Sequence, residues 1–397
     1  MTTKLADLVE RSLDILPEMV KWRRHFHQFP ELSFREKATS EKIAQILDSF
    51  KAYSIEKNIG GYGIVATLTT GDGPVIALRA DMDALPIYEQ TGLSYSSKHP
   101  GVMHACGHDA HISILLGTAK LLAEDAKKGL FKGTVKLIFQ PAEEDSDVLG
   151  ETGAVKMLQC GILDDVEAIL ALHMCPWREK GEIQIHDGPS MANNDDFYLI
   201  VKGTGGHGGY PHHTKDPVWM STYLLQALYS INGRKVNPLD VGTISVGQIH
   251  AGEANNVIPG LVEIQGTIRS YKKEVRELLI KEIEGAARVV TALGGDFDLT
   301  VHRGEPALVN DPTVNKVIRD AAAGMKVINE PFGMGSEDFS HMTARKPGAM
   351  FFLGCGIEEE RGLHHPGFDI NEEALSDGVE IFVKCVYQLL QREGGEL

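Results

Sequence analysis

Residues 75–140 decide the fold, because they place a helical pattern, Asp109–Ala126 (DAHISILLGTAKLLAEDA), between two apolar segments. The apolar segments are Val75–Ala80 (VIALRA) and Thr134–Gln140 (TVKLIFQ). The two apolar segments have the length of buried strands, whereas the segment between them repeats apolar residues at helical spacing. A strand, a helix and a further strand in this order are typical of an α/β layer. The stretch therefore predicts a largely parallel sheet flanked by helices.

The same pattern extends to both sides of this stretch. Apolar residues at helical spacing run from Leu5 to Phe29, where Pro30 interrupts them, and again from Ser40 to Phe50. Further strands are predicted at Ile64–Thr69 and at Ala168–Leu172, the second one closed by His173. The first half of the chain is therefore predicted to form one α/β domain.

A second set of elements begins where the chain becomes polar and rich in small residues, at positions 188–196. It has the order β-α-β-β-α-β: Phe197–Val201, Pro217–Ile231, Gly242–His250, Leu261–Arg269, Glu274–Ala292 and Asp296–His302. This order is typical of a ferredoxin-like α+β domain. Helix, strand and helix patterns then return at positions 312–323, 349–353 and 373–391. We therefore predict a domain of residues 1–188 and 304–397, interrupted by an inserted domain of residues 189–303.

Composition excludes several classes of partner. The 397 residues carry a net charge of −16, which argues against nucleic acid, because phosphate binding needs a basic surface. The sequence contains neither a signal-peptide pattern nor an apolar run of membrane-spanning length, so we expect a cytoplasmic protein with no membrane contact. Five widely spaced cysteines do not resemble a disulfide framework, and a cytosolic cysteine is more often metal-binding or catalytic.

Residues 103–111 (MHACGHDAH) concentrate three histidines and one cysteine in nine positions. Thiolate and imidazole are preferred ligands of zinc and related metals. In an extended loop Cys106 and His108 point the same way, so both can reach one metal site. The segment therefore predicts metal binding.

Polar residues also follow predicted strands elsewhere in the first domain. Asp81 and Asp83 come after one strand, Glu143 and Glu144 after the next, and His173 ends a third. Ligands in open α/β sheets bind beyond the carboxyl ends of the strands. We therefore expect these side chains to converge with the cysteine–histidine loop.

Six segments, taken in order, resemble the aminoacylase, hippurate hydrolase and carboxypeptidase family of metal-dependent amidohydrolases. They are RADMDALP (79–86), HACGHDAH (104–111), QPAEE (140–144), LH (172–173), GGHGGYPH (205–212) and LHHPGF (363–368). The resemblance implies a catalytic domain with a dinuclear metal centre. It also implies that the inserted domain is a lid or dimerisation domain, and hence a homodimer or higher homo-oligomer.

The metal ligands implied by this resemblance are Cys106, His108, Glu144, His173 and His364. Two catalytic metals with about three protein ligands each and one shared ligand account for such a set, and Cys106 is the implied bridge. His365 is adjacent to His364, and the family motif favours His364, two residues before Pro366. Zinc is the favoured metal, with manganese, cobalt and nickel as alternatives.

The resemblance also implies roles for acidic residues beside the metals. Glu143 is expected to be the general base that takes a proton from the attacking water. Asp83 either holds a ligand histidine in its metal-binding tautomer or caps its loop, and a ligand role for Asp81 stays open. Glu337 and Asp338 are expected to support the site without a chemical step.

Three residues of the inserted domain complete the implied site. His207 is expected to stabilise the tetrahedral oxyanion, either in the site of its own chain or in that of a neighbouring subunit. Asn255 and Arg269 match positions that hold polar groups of the substrate in relatives, and the arginine fork suits a carboxylate.

These features predict an enzyme that hydrolyses the amide bond of N-acyl-L-amino acids. A carboxypeptidase or dipeptidase acting on short peptides is the alternative within the same chemistry. A catalytically silent ligand-binding protein is a remote third reading. One departure from the usual pattern bears on substrate preference: residues 145–151 form a longer and more acidic connection than in relatives.

Overall fold

The computed structural model describes residues 2–359 and 361–391. The chain divides into two compact units. The first comprises residues 1–188, 309–332 and 338–397, and the second comprises residues 189–308 and 333–337. Among the helices of the described residues, none is both long and apolar enough to cross a membrane.

The helices and strands of the described residues follow in chain order. The helices are α1 (Thr2–Asp14), α2 (Leu16–Gln28), α3 (Lys37–Ser49), α4 (His108–Lys127), α5 (Gly153–Gln159), α6 (Pro217–Arg234), α7 (Lys273–Ala292), α8 (Pro312–Ala321), α9 (Phe339–Thr343) and α10 (Ala374–Leu390). The strands are β1 (Ser54–Ile59), β2 (Gly63–Thr69), β3 (Val75–Asp81), β4 (Thr134–Gln140), β5 (Ala168–Cys175), β6 (Glu182–Gln184), β7 (Gly188–Met191), β8 (Asp195–Lys202), β9 (Gly206–His207), β10 (Gly242–His250), β11 (Val257–Ile258), β12 (Leu261–Ser270), β13 (Asp296–Arg303), β14 (Leu308–Asn310), β15 (Lys326–Ile328) and β16 (Gly348–Gly354).

The first unit is built on an eight-stranded mixed sheet of order β1-β2-β4-β3-β5-β16-β6-β15. Its centre is parallel: β3 pairs with β4 and β5, and β5 pairs with β16. The flanking strands β1, β2 and β6 introduce antiparallel pairs. The predicted α/β class with a largely parallel central sheet is therefore confirmed.

Burial explains the central strand and the helix beside it. All eight residues of β5 are buried, as expected for a parallel strand covered on both faces. Most of α4 is buried as well, on every side of the helix. The predicted strand Ala168–Leu172 is too short, because β5 continues to Cys175; His173 thus lies within the strand rather than at its end. The predicted helical region Leu5–Phe29 contains two helices, α1 and α2, which are separated at Ile15.

The second unit contains a four-stranded antiparallel sheet of order β10-β12-β8-β13. Helices α6 and α7 connect its strands, and their apolar residues share one core with the sheet. This strand order, with one helix after β8 and one after β12, is the ferredoxin-like arrangement.

Candidate metal centre

The candidate site residues of the first unit gather where the parallel strands end. Strand β3 ends at Asp81 and β4 ends at Gln140, while α4 begins at His108. His173 lies in strand β5, two residues before its last residue, Cys175. This is the edge at which open α/β sheets bind ligands.

Among the groups of side chains that could hold a metal ion, two have Cys106 in common. One group consists of Cys106, His108 and His173, and the other of Cys106, Glu144 and His364; within each group the ligand atoms lie within 4.8 Å of one another. Cys106 Sγ is 3.5 Å from His173 Nε2, and Glu144 Oε1 is 3.5 Å from His364 Nε2. The five residues that the family resemblance implies are thus close together.

A left-handed glycine lets Cys106 and His108 face the same space. Gly107 has φ of 90°, which a residue with a Cβ rarely adopts. A Cβ at this position would also lie 3.0 Å from the Met174 side chain on β5. Glycine therefore allows both the sharp turn before α4 and its close approach to β5.

Hydrogen bonds orient both buried histidines with Nε2 toward the cluster. His108 Nδ1 donates to the Asp83 carbonyl oxygen at 2.9 Å, and His173 Nδ1 donates to the Met174 carbonyl oxygen at 2.8 Å. Among the described residues, the buried atoms His108 Nε2 and Glu144 Oε1 have no hydrogen-bond partner. Buried polar atoms in proteins are usually paired, and these two belong to the candidate ligand groups, so a metal ion fits as their missing partner.

The electrostatics of the cluster also fit cations. Burial lowers the pKa of His108, but the carboxylates of Asp81, Asp83 and Glu144 outweigh this effect and raise it to about 10. Burial raises the pKa of the Cys106 thiol well above its ordinary value, and the nearby carboxylates add to the shift. Negative potential of this kind stabilises positive charge, and a bound cation favours the thiolate form of a cysteine.

His111, although it lies in the same motif, does not offer a free ligand atom. Its Nδ1 donates to Asp81 Oδ1 at 2.6 Å, and its Nε2 accepts the N–H of Met174 at 2.9 Å. Asp81 Oδ2 accepts from Arg79 Nη1 at 2.6 Å. These contacts favour a supporting role for Asp81 and His111 over metal ligation, because their ligand atoms are already used.

Asp83 touches the site with its backbone and its side chain. Besides the carbonyl contact with His108, its Oδ2 accepts the hydroxyl of Ser33 at 2.6 Å and the N–H of Glu144 at 3.0 Å. Its Oδ1 lies 3.4 Å from His108 Nδ1. The carbonyl rather than the carboxylate makes the shorter contact with the histidine, and the carboxylate holds the loop that carries Glu144.

Glu143 and His364 approach the cluster from two different loops. Glu143 Oε2 is 4.0 Å from His108 Nε2. His364 adopts φ of 61°, and its N–H donates to the Ala105 carbonyl oxygen at 2.8 Å. The neighbouring His365 instead uses Nδ1 to accept the N–H of Gly367 at 3.0 Å. This geometry favours His364 over His365 as the ligand.

A buried network supports the strand ends; it contains Asp338, which the sequence predicted as a supporting residue, and Arg79, for which the sequence predicted no role. Arg79 donates to Gln140 Oε1 at 2.9 Å and to Asp338 Oδ1 at 2.8 Å, in addition to its bond with Asp81. Asp338 also accepts from Gln140 Nε2 and from the N–H of Ala154. The charge of Arg79 near the end of β3 was the sequence signal that could have indicated this network. Through Arg79 and Asp338 together, the network joins the ends of β3 and β4 to α5.

The acidic connection after Glu144 is an ordered turn. Asp147 Oδ1 accepts the N–H groups of Leu149 and Glu151 at 2.8 and 3.1 Å, and Lys156 Nζ pairs with Asp147 at 2.7 Å. The turn leaves Val148 and Leu149 exposed.

The three predicted residues of the inserted domain all lie in the second unit. His207 is exposed in β9, and its Nδ1 accepts the N–H of Gly209 at 2.9 Å. The loop with Asn255 is close to it, because Gly208 donates to the Asn256 carbonyl oxygen at 2.8 Å. Arg269 lies on β12.

Comparison with known proteins agrees with this geometry. The pattern that defines peptidase family M20/M25/M40 matches residues 77–388. The chain belongs to this family. It is 36% identical over 377 residues to an N-acetylcysteine deacetylase of Bacillus subtilis, covering 94% of this chain and 97% of that protein. It is 37% identical over 389 residues to thermostable carboxypeptidase 1 of Saccharolobus solfataricus, covering 94% and 96%.

A solved structure extends the agreement to the fold. A Bacillus subtilis dinuclear metal-binding peptidase from the M20 family superposes with a TM-score of 0.84 at 33% identity, covering 95% of this chain and 99% of that one. The chain is therefore a metal-dependent amidohydrolase of this family, and the enzyme class predicted from its motifs is confirmed.

Proposed function

We propose that the chain hydrolyses the amide bond of N-acyl-L-amino acids at a dinuclear metal centre, in which Cys106 would be the ligand shared by the two metals. The observation that carries this proposal is that Cys106 belongs to two candidate ligand groups, one with His108 and His173 and one with Glu144 and His364. A thiolate can span two cations, and each group offers three protein ligands, as catalytic zinc sites do. Zinc is the metal we propose, because sulfur and imidazole ligands favour it.

Divalent metals at such a centre would lower the pKa of water toward neutrality and polarise the substrate carbonyl. Glu143 would take the proton of the attacking water and return it to the leaving amine, since its carboxylate lies beside the ligand His108. Asp83 would keep the His108 ring and the Glu144 backbone in place through the bonds described above.

Residues of the second unit would bind the substrate. His207 would donate a hydrogen bond to the oxyanion that develops on the carbonyl oxygen when water attacks the carbonyl carbon. The guanidinium of Arg269 would pair with the free carboxylate beside the scissile amide, and Asn255 would hold a further polar group. We also propose that the second unit mediates homodimerisation. Its helix α6 exposes the edge-to-face aromatic pair Trp219 and Tyr223, and gel filtration tests the oligomeric state.

Carboxypeptidase or dipeptidase activity is the second candidate, since both reactions cleave an amide beside a carboxylate. A B. subtilis relative named for deacetylation and an archaeal relative named as a carboxypeptidase support one candidate each. The test is a panel of N-acetyl and N-benzoyl amino acids and dipeptides, assayed with zinc, manganese or cobalt and again after chelation. We expect faster turnover of the N-acyl amino acids and loss of activity with chelator. Preference for dipeptides would favour the second candidate, and no turnover of any substrate with metal would refute both.

A further inference from the structure

Residues 31–36, which join α2 to α3, contact two of the loops that carry candidate site residues. Ser33 donates to the carboxylate of Asp83, as described above. Glu36 Oε1 accepts the N–H of Ala142, 106 positions away in sequence, at 2.8 Å. The segment precedes residues 77–388, so the family match does not cover it.

Glu36 is fully buried, and one of its oxygens holds two backbone groups of unusual conformation. Besides Ala142, Oε1 accepts the N–H of Phe34 at 2.9 Å. Ala142 has φ of 47° and Phe34 has φ of 62°, both in the left-handed region that residues with a Cβ disfavour. Such conformations persist only where surrounding contacts enforce them, and they cluster at active sites.

Ala142 determines the direction in which the next two residues leave β4. Strand β4 ends at Gln140, and Glu143 and Glu144 follow Ala142 directly. The Ala142 carbonyl oxygen accepts the N–H of Gly153 at 2.8 Å, while its N–H is bonded to Glu36. The peptide groups on both sides of Ala142 are thus held by hydrogen bonds, one to the backbone of Gly153 and one to the side chain of Glu36.

We propose that Glu36 is a positioning residue: its carboxylate holds Ala142 in the left-handed conformation that presents Glu143 and Glu144 to the metal centre. This inference rests on the proposed roles of Glu143 as base and Glu144 as ligand. It makes Glu36 part of the support of the catalytic loop, with no contact of its own to substrate or metal.

The first test compares Glu36→Ala with Glu36→Gln. The glutamine oxygen accepts the same two N–H groups. Burial and the charge of Asp83 raise the pKa of Glu36 to about 7, so an uncharged isostere resembles the native group near neutral pH. We expect Glu36→Ala to lower kcat about 10²-fold with little change in KM, and to weaken zinc or manganese binding about tenfold. Glu36→Gln should stay within about threefold of wild type for both. A loss in Glu36→Gln as large as that in Glu36→Ala would overturn the proposal.

The second test is rescue by glycine. Glycine adopts positive φ without penalty, so Ala142→Gly should recover about tenfold of the kcat and metal affinity lost in Glu36→Ala. If Glu36→Ala alone does not fold, the double variant Glu36→Ala/Ala142→Gly takes its place in the comparison with Glu36→Gln. Failure of Ala142→Gly to recover either quantity would contradict the role assigned to the backbone conformation.

Asp311→Ala is the matched structural control. Asp311 Oδ1 also accepts two backbone N–H groups, those of Thr313 and Val314 at the start of α8, and contacts no site residue by these bonds. Asp311→Ala should lower thermal stability while leaving kcat and metal affinity unchanged. If Glu36→Ala likewise loses only stability, the proposal is wrong. If the wild type hydrolyses none of the panel substrates, the proposed function fails, and the metal titrations still decide the role of Glu36.

Discussion

Replacing Arg23 by methionine should strongly destabilise the first unit, whereas the same change at the neighbouring Arg24 should not. The Arg23 side chain is fully buried and pairs with Asp109 at 3.1 Å, Asp369 at 2.8 Å and Glu372 at 3.0 Å. Asp109 is itself fully buried, so loss of the guanidinium leaves its carboxylate only partly compensated, by His27 at 2.8 Å. Breaking a buried ion pair from one side costs about 3–5 kcal/mol.

Arg24 provides the comparison within the same network. It pairs with Glu372 at 2.7 Å, but 46% of its side chain is exposed. An exposed ion pair contributes about 0–1 kcal/mol, and the position of its guanidinium over the Tyr95 ring adds about 0.5–1 kcal/mol. Arg24→Met should therefore cost less than about 2 kcal/mol in the free energy of unfolding.

The assay is urea unfolding of the chelated apo-protein, followed by tryptophan fluorescence, because bound metal would add its own stabilisation. We expect a large loss for Arg23→Met and a small one for Arg24→Met. Adding Asp109→Asn to Arg23→Met should recover part of the loss, since it removes the buried negative charge that Arg23 pairs with in the wild type. Equal losses for the two arginine variants would refute the reasoning.

Three further predictions concern other parts of the molecule. Burial lowers the pKa of His27, but two hydrogen-bonded carboxylates raise it to about 9, so its contribution to stability is complete below pH 6.5 and is lost as the pH rises through 9. It amounts to roughly 3 kcal/mol, and His27→Phe should flatten the dependence of the urea midpoint on pH in this window. Gly153→Ala should destabilise the protein by several kcal/mol, because the added Cβ would lie 1.6 Å from the Pro141 carbonyl oxygen. Gly285→Ala on the exposed face of α7 should instead stabilise it by about 0.5–1 kcal/mol. Thermal unfolding measures both changes, and a Gly153→Ala protein more stable than Gly285→Ala would be inconsistent with the packing. Cys106→Ala should lose at least one metal per chain by elemental analysis, and retention of two would contradict the bridging role.

Local sequence patterns carry much of the fold. Apolar segments of strand length predict β3 and β4, and the helical spacing after residue 108 predicts α4. These predictions succeed because the three elements are mostly buried, and burial requires the regular apolar patterns that identify them. The predicted end of β5 was wrong. The strand continues through His173, Met174 and Cys175, whose polar and sulfur atoms do not continue the apolar pattern from which the strand was predicted.

The candidate ligands could be predicted, but the contacts that hold them could not. Cys106 and His108 lie in one short motif, so their proximity follows from local geometry. The bonds of Glu36 to Ala142 and of Arg79 to Asp338 join residues 106 and 259 positions apart. No pattern within a single segment indicates such pairs, because they depend on how distant loops pack at the sheet edge.

The central claim is that Glu143 is the base at a two-metal centre bridged by Cys106. The most direct test is to measure the metal content of purified Glu143→Ala by elemental analysis together with its hydrolysis of an N-acetyl amino acid. The account predicts two metals per chain, as in the wild type, and a fall in kcat of about 10²–10⁴-fold. Hydrolysis at the wild-type rate with both metals bound would contradict it.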